Sequence, residues 1–312
     1  MAEKIATRDA YGKALVELGH ADQRIVVLDA DLSGSTKTAL FGKEFPERFF
    51  NVGIAEANMV TMAAGLAAGG MVPFASTFAV FAAGRAFEQI RNSVAYAKLN
   101  VKIVATHAGV TVGEDGGSHQ SVEDLAIMRA LPNMTVLCPA DGPETAAAIK
   151  AAAAHDGPVF VRLGRAKVPS VFSADCRFRI GKATTLRDGS DLTFMTTGLM
   201  TAEALAAAEI LQENRISARV VHHGSIKPLD VDAVLLAARE TGAVVTAEEH
   251  SVIGGLGGAV CETLAEGCPT PVERVGLRDQ FGQSGTAEEL LSYYGLTAAH
   301  LVEAAERVLQ RK

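Results

Sequence analysis

The chain reads as an α/β protein of two doubly wound domains, the first larger than the second, and three observations carry that reading. Short runs rich in Val and Ile alternate with Ala-rich stretches of helical spacing. The alternation is interrupted between residues 166 and 191 by a segment mixing Pro, Ser, Gly and charge, and then resumes. The 312 residues exceed one average domain.

In order along the chain, the strand candidates of the first domain are RIVVLDA (24–30), MVPFAST (71–77), VKIVATH (101–107), MTVLCPA (134–140) and PVFVRLG (158–164). Apolar runs without a polar face suit strands covered on both sides, as in a parallel sheet. Helical spacing falls between them, at 8–18, 55–68, 81–97 and 144–154. Asp141, Pro143 and Glu144 supply the residue types of a helix start. After a linker placed at 171–190 come LTFMTTG (192–198), ARVVHHG (218–224), AVVTAEE (243–249) and PVERVGL (271–277), with helices expected over 202–213, 231–240, 258–265 and 298–310. The domains are therefore expected at 1–170 and 191–312, with functional loops at the carboxyl ends of the strands.

The composition narrows the function. A net charge of −7 argues against nucleic acid or an anionic membrane as the main partner, yet cations can still gather in a cleft for a small anionic substrate. Cys138, Cys176, Cys261 and Cys268 form no C-x-x-C pair and match no metal spacing, which reads as free thiols in a reducing cytoplasm. The first residues lack the apolar core of a signal peptide. Residues 57–84 carry no charge, but Gly69, Gly70 and Pro73 break the run, so it reads as a buried helix followed by a buried strand rather than a membrane span.

Against that uncharged run, Glu56 stands out: an acid with no Lys or Arg within a helical turn points to solvent or is there for chemistry. The densest polar segment follows the strand ending near Thr106. THAGVTVGEDGGSHQSVEDL holds His107, His119, Glu114, Asp115 and Gly109, Gly113, Gly116 and Gly117. Glycines permit close backbone approach to a ligand, and histidines move protons near neutral pH. The alternatives are a solvated loop or a metal site, although the spacing fits no zinc motif. Phe78 and Phe81, at i and i+3 just past a strand end, suit either a core or a stacking platform. EEHSVIGGLGGAV (248–260) misses the dinucleotide fingerprint because Val260 stands where its last Gly belongs, leaving Glu248, Glu249 and His250 unassigned.

GEDGGSHQSVEDLAIMRALPNM, GIAEANM, STFAVF, DADLSGS and PADGPE together resemble the second half of transketolase, its pyrimidine-binding domain followed by its C-terminal domain. The resemblance covers essentially the whole chain. It implies a thiamine diphosphate site in which the carboxyl of Glu56 hydrogen-bonds a ring nitrogen of the aminopyrimidine and promotes activation of the cofactor. A carboxyl in apolar surroundings has its charged form disfavoured, which suits that task. By the same resemblance Phe81 stacks on the pyrimidine with Phe78 beside it, and Asp31 lies near the cofactor at a subunit interface. Asp115 reads the donor's hydroxyl configuration, and His119 hydrogen-bonds and moves protons near the reacting carbons. Arg8, Ser35, His107 and Arg165 take the sugar phosphate. The family's third stacking aromatic is Gly84 here.

The Gly-Asp-Gly motif that holds the diphosphate through Mg²⁺ or another divalent cation does not occur in the chain. The resemblance therefore implies an N-terminal partner subunit that carries the metal and the diphosphate, in a heterotetramer with two of each chain. The second domain is expected to serve dimerisation and stability. The expected reaction is transfer of a two-carbon ketol unit between a ketose phosphate and an aldose phosphate, with xylulose 5-phosphate and ribose 5-phosphate as the family's substrates in the pentose phosphate pathway. Three other readings share many of these features. They are half of a deoxyxylulose phosphate synthase-like enzyme, the beta subunit of a 2-oxo acid dehydrogenase, and a non-catalytic assembly subunit.

Overall fold

The computed structural model describes residues 4–312, so the first three residues of the expected first domain lie outside it. The first sheet has seven strands among the described residues. Their order is Ser225–Lys227, Thr135–Leu137, Val159–Arg162, Lys102–Thr106, Val72–Phe78, Ile25–Asp29 and Phe49–Asn51. All neighbours pair in parallel except Ser225–Lys227, which adds antiparallel to Thr135–Leu137.

Side chains alternate across the sheet as strand geometry requires. Ile25, Val27, Phe74, Val104, Val159 and Val161 pack with Tyr11 and Leu15 of the helix Thr7–Ala21 and Ile149 of the helix Gly142–Ala154. Asp141 caps the latter, its Oδ1 accepting from Glu144 N at 2.9 Å. Leu28, Ala75, Ile103, Ala105 and Phe160 face the other way, against Met59 and Val60 of the helix Glu56–Ala68 and Leu125 and Met128 of the helix Asp124–Ala130. This second core continues through Met195, Val221, Ile226, Val234 and Leu256, so the two domains share it. Each buried Val, Leu, Ile, Phe or Met among them contributes about 1.5–3 kcal/mol by leaving water.

The second sheet runs Val272–Leu277, Val244–Ser251, Leu192–Thr196, Ala218–His222 and Thr184–Arg187, parallel but for the last strand. Thr184–Arg187 lies within the segment expected as linker. It is short, polar and partly exposed at a sheet edge, so it carries no apolar run to read. A further pair, Lys4–Ala6 with Lys167–Pro169, is antiparallel. The helix expected over 81–97 is three consecutive pieces, Ala79–Arg85, Phe87–Gln89 and a π-helical turn at Ile90–Tyr96. The wider turn keeps Ile90, Val94 and Ala95 buried. Among the described residues no helix is long and apolar enough to cross a membrane.

Candidate functional site

Adjacent parallel strands deliver their next residues to one edge of the first sheet, the place where such sheets bind ligands. Phe78 ends Val72–Phe78, His107 follows Lys102–Thr106, Arg165 comes three residues after Val159–Arg162, and Asp31 comes two after Ile25–Asp29. His107 and Asp31 take left-handed backbone angles, φ 57° and 64°, which turn the chain sharply out of the sheet.

At this edge cations converge on a neutral imidazole. Arg8 donates from Nη1 to Nε2 of His107 at 3.1 Å and to the carbonyl of Ser35 at 3.1 Å. A guanidinium only donates, so Nε2 of His107 accepts and its Nδ1 carries the hydrogen, which it donates to Thr106 Oγ1 at 2.9 Å. Burial first, then the charges of Arg8 and Arg165, pulls the His107 pKa down to about 3, so the ring stays uncharged at neutral pH. Lys37 and His119 add to that field. Burial and the neighbouring Arg165 also lower Arg8, against the opposing pull of Asp9, and Nε of Arg8 is a buried donor without a protein acceptor. Arg165 bonds Glu114 Oε2 at 2.9 Å and the carbonyl of Val112. Two guanidiniums near one another, one with a spare donor, make a place for an anion. Lys37, paired with Asp9 at 3.6 Å, belongs to this cluster although the motifs did not single it out.

Beside the cations lies an aromatic wall. His107 stacks on Phe78 with ring centroids 3.8 Å apart, and Phe78 stacks on Phe81 at 5.8 Å with 12° between planes. His119 meets the Phe81 ring edge-on at 5.6 Å, and its Nδ1 lies 3.0 Å from Ser118 Oγ. A Cβ on Gly84 would meet nothing within 4 Å, so the space beside it is open.

Glu56 begins the helix Glu56–Ala68 and is 4% exposed. Its setting is not the purely apolar one expected. Arg85, on another helix, donates from Nη1 to Glu56 Oε1 at 3.0 Å, and its guanidinium carbon sits 4.1 Å from the centroid of Phe81. The two residues are 29 positions apart, so no local pattern joins them.

The structure thus gathers Arg8, Ser35, His107, Phe78, Phe81 and His119, with Arg165 close by and Glu56 joined through Arg85. Asp115 lies exposed on the same loop as His119. Asp31 is exposed and accepts from Asn51 Nδ2 at 2.9 Å, apart from the cation cluster.

The loop carrying Asp115 and His119 is held by hydrogen bonds from the second domain, which therefore helps to position this part of the candidate site. Glu249 Oε1 accepts from Thr111 N at 2.7 Å. Gly109, at φ 79°, passes so close that a Cβ there would collide with the Glu249 carboxyl. Gln120 Nε2 bonds the carbonyls of Val110, Gly113 and Gln283, and Ser284 Oγ bonds the Glu114 carbonyl. Arg162 bridges the domains, bonding Asp124 Oδ2 at 2.9 Å and the Glu249 carbonyl at 2.8 Å. Burial raises the pKa of Glu249 to about 7 against the pull of Arg162. Glu248 caps the helix Leu256–Gly267, its oxygens accepting from Leu256 N and Gly257 N. His250 lies within hydrogen-bond distance of the Ser251 carbonyl and of Ala126 N. These contacts give the three residues left unassigned by the motifs their places.

Residues 3–170 match the family model of the transketolase pyrimidine-binding domain, and 181–301 that of the transketolase C-terminal domain. A protein of Methanocaldococcus jannaschii, named as a transketolase C-terminal section, is 54% identical over 97% of this chain and 95% of its own length. A 6-deoxy-6-sulfo-D-fructose transketolase subunit of a Clostridium species is 48% identical, over 98% of this chain and 95% of its own length. A solved structure titled split gene transketolase, inactive beta4 tetramer, superposes with a TM-score of 0.93 at 60% identity, covering 98% of this chain and 99% of that one. Transketolase from Leishmania mexicana superposes at 0.84 with 28% identity, covering 100% of this chain but 46% of that one. Fold and family models together define the class: two α/β domains of a thiamine-dependent transferase. The chain belongs to the transketolase family and corresponds to its C-terminal section.

Proposed function

We propose that the chain is the catalytic C-terminal subunit of a two-subunit transketolase, moving a two-carbon ketol unit from a ketose phosphate to an aldose phosphate. The observation that carries this reading is the single sheet edge that joins an anion-binding cluster, Arg8, His107 and Arg165, to the stacked rings of Phe78 and Phe81 and the buried carboxyl of Glu56.

The donor set fits the pyrimidine end of thiamine diphosphate. A flat cationic group already makes the two contacts an aminopyrimidine needs, a face on Phe81 and an N–H to Glu56. When bound, the cofactor supplies the nucleophilic carbon and the electron sink of the transfer. Glu56 would hold or share a proton at the pyrimidine nitrogen, and Phe81 would orient the ring. Arg8 and Arg165 would anchor the substrate phosphate. His107, neutral and fixed between Arg8 and Thr106, would orient Arg8 rather than exchange protons. Asp115 would read the donor's hydroxyls, His119 would move protons beside the reacting carbons, and Asp31 would lie at the border with another subunit. No Gly-Asp-Gly motif occurs, so the divalent cation, Mg²⁺ in the simplest case, and the diphosphate would be held by an N-terminal partner in a heterotetramer. The cation cluster suits a sulfonate as well as a phosphate, and the Clostridium relative is named for a sulfo-sugar.

Calorimetric titration of thiamine diphosphate and Mg²⁺ into the chain alone, then into its mixture with an N-terminal subunit, tests the reading. Binding and ketol transfer only in the mixture are expected, with transfer lost in Glu56→Gln. Tight binding to the chain alone would refute the shared site. A panel of phosphorylated and sulfonated donors then fixes the substrate.

A further inference from the structure

Arg85 makes two contacts that meet in one place. It follows Phe81 by one helical turn in Ala79–Arg85, where i and i+4 side chains share a face, and its guanidinium carbon lies 4.1 Å from the centroid of the Phe81 ring. From there its Nη1 donates to Glu56 Oε1 at 3.0 Å. A guanidinium is planar, as an aminopyrimidine is. It presents a face to an aromatic ring and in-plane N–H groups to a carboxylate. The charges also suit the backbone, since Glu56 stands at a helix N-terminus and Arg85 at a helix C-terminus. Arg85 is 54% exposed at its side chain while Glu56 is 4% exposed, so the arginine can leave to water without opening the core.

We propose that Arg85 acts as an internal stand-in for the cofactor's pyrimidine: its guanidinium fills the space between Phe81 and Glu56 and must swing out before that ring can bind. The inference rests on the pyrimidine-site reading given above. Two flat groups cannot share one face of Phe81 and one oxygen of Glu56. Each binding event therefore breaks the Arg85–Glu56 pair and releases the guanidinium to solvent, and the affinity of the site is set by the difference between the two occupants. The open space beside Gly84 gives the displaced chain room to move. With the arginine in place the buried carboxylate is never left unpaired, which burial alone would penalise.

The test uses the full chain and a neutral probe, 4-amino-5-hydroxymethyl-2-methylpyrimidine, followed by ligand-observed NMR. A probe without the thiazolium charge separates competition for the site from simple attraction to Glu56. Wild type, Arg85→Ala, Arg85→Lys, Phe81→Ala and Glu56→Ala are compared, with circular dichroism confirming that each is folded. Arg85→Ala is expected to bind the probe several-fold more tightly than wild type. Arg85→Lys, which keeps the charge but loses the flat face, is expected to fall between them. Phe81→Ala and Glu56→Ala are expected to weaken binding. If those two weaken binding while Arg85→Ala weakens it or leaves it unchanged, the stand-in is wrong and the pyrimidine site stands. If no variant shows binding, or Phe81→Ala and Glu56→Ala leave it unaltered, the pyrimidine site itself is misplaced and the proposal falls with it.

Discussion

Replacing Glu249 by Gln should change how stability depends on pH, and the structure sets the size of the change. Glu249 is buried, with Arg162 and Asp124 nearby, and its pKa is raised from 4.5 to about 7 chiefly by burial. A raised folded value means that the folded chain keeps a proton the unfolded chain releases. The resulting stability is fully present below the unfolded value and is lost as pH rises through the folded one. The gap between the two values corresponds to about 3 kcal/mol. Gln cannot titrate, yet its oxygen can still accept from Thr111 N, so the variant isolates the proton from the hydrogen bond. Urea unfolding of both proteins at fixed concentration, from pH 5 to pH 8, gives the difference directly. The wild type should lose about 2.5 kcal/mol relative to the variant across that range, the remainder having been lost already below pH 5. A difference that stays constant with pH would mean that Glu249 remains ionised beside Arg162 throughout, and would refute the reasoning. Glu249→Ala adds the loss of the Thr111 acceptor, about 1–3 kcal/mol.

The proposed substrate site, the loop beside it and the helix Ala79–Arg85 offer three more tests. Arg8→Ala or Arg165→Ala should raise KM for a phosphorylated donor in the assembled enzyme by roughly 10- to 150-fold, the worth of one charge-assisted hydrogen bond, while a donor without phosphate is much less affected; equal effects on both donors would place the anion elsewhere. Gly109→Ala adds a collision with Glu249 to a backbone at φ 79°, so it should cost about 2–4 kcal/mol, read as a lower urea midpoint. Gly84→Ala meets open space inside a helix and should stabilise by up to about 1 kcal/mol, seen as a higher melting temperature.

The long strands were legible because each is an apolar run buried on both faces. Val72–Phe78 and Lys102–Thr106 fall within a residue or so of their expected bounds. Short strands carry no such signal. Phe49–Asn51 and Thr184–Arg187 are exposed or half-exposed edges, defined by the neighbour they pair with rather than by their own residues. The same limit applies in the site. The Gly-rich loop and the phenylalanines stood out because their chemistry is compressed into a few adjacent positions. Arg85 and Glu56 meet only when two helices pack, and Glu249 reaches Thr111 across 138 positions. Glu248 capping a helix eight residues further on, Leu256, is a contact that a Gly-rich turn conceals from sequence inspection.

The strand Ser225–Lys227 has a consequence for inheritance. It belongs by sequence to the second domain and by hydrogen bonding to the first, where it covers the edge strand Thr135–Leu137. Lys227 fastens it by donating to the carbonyls of Arg129 and Leu131. A gene divided within 171–190 would yield one product with a bare sheet edge and another with half a core exposed, both prone to aggregate. Recombination that exchanged the second domain between relatives would need to carry a matching edge with it. The two domains are therefore coupled twice over, through a common core and through a sheet edge that one lends to the other.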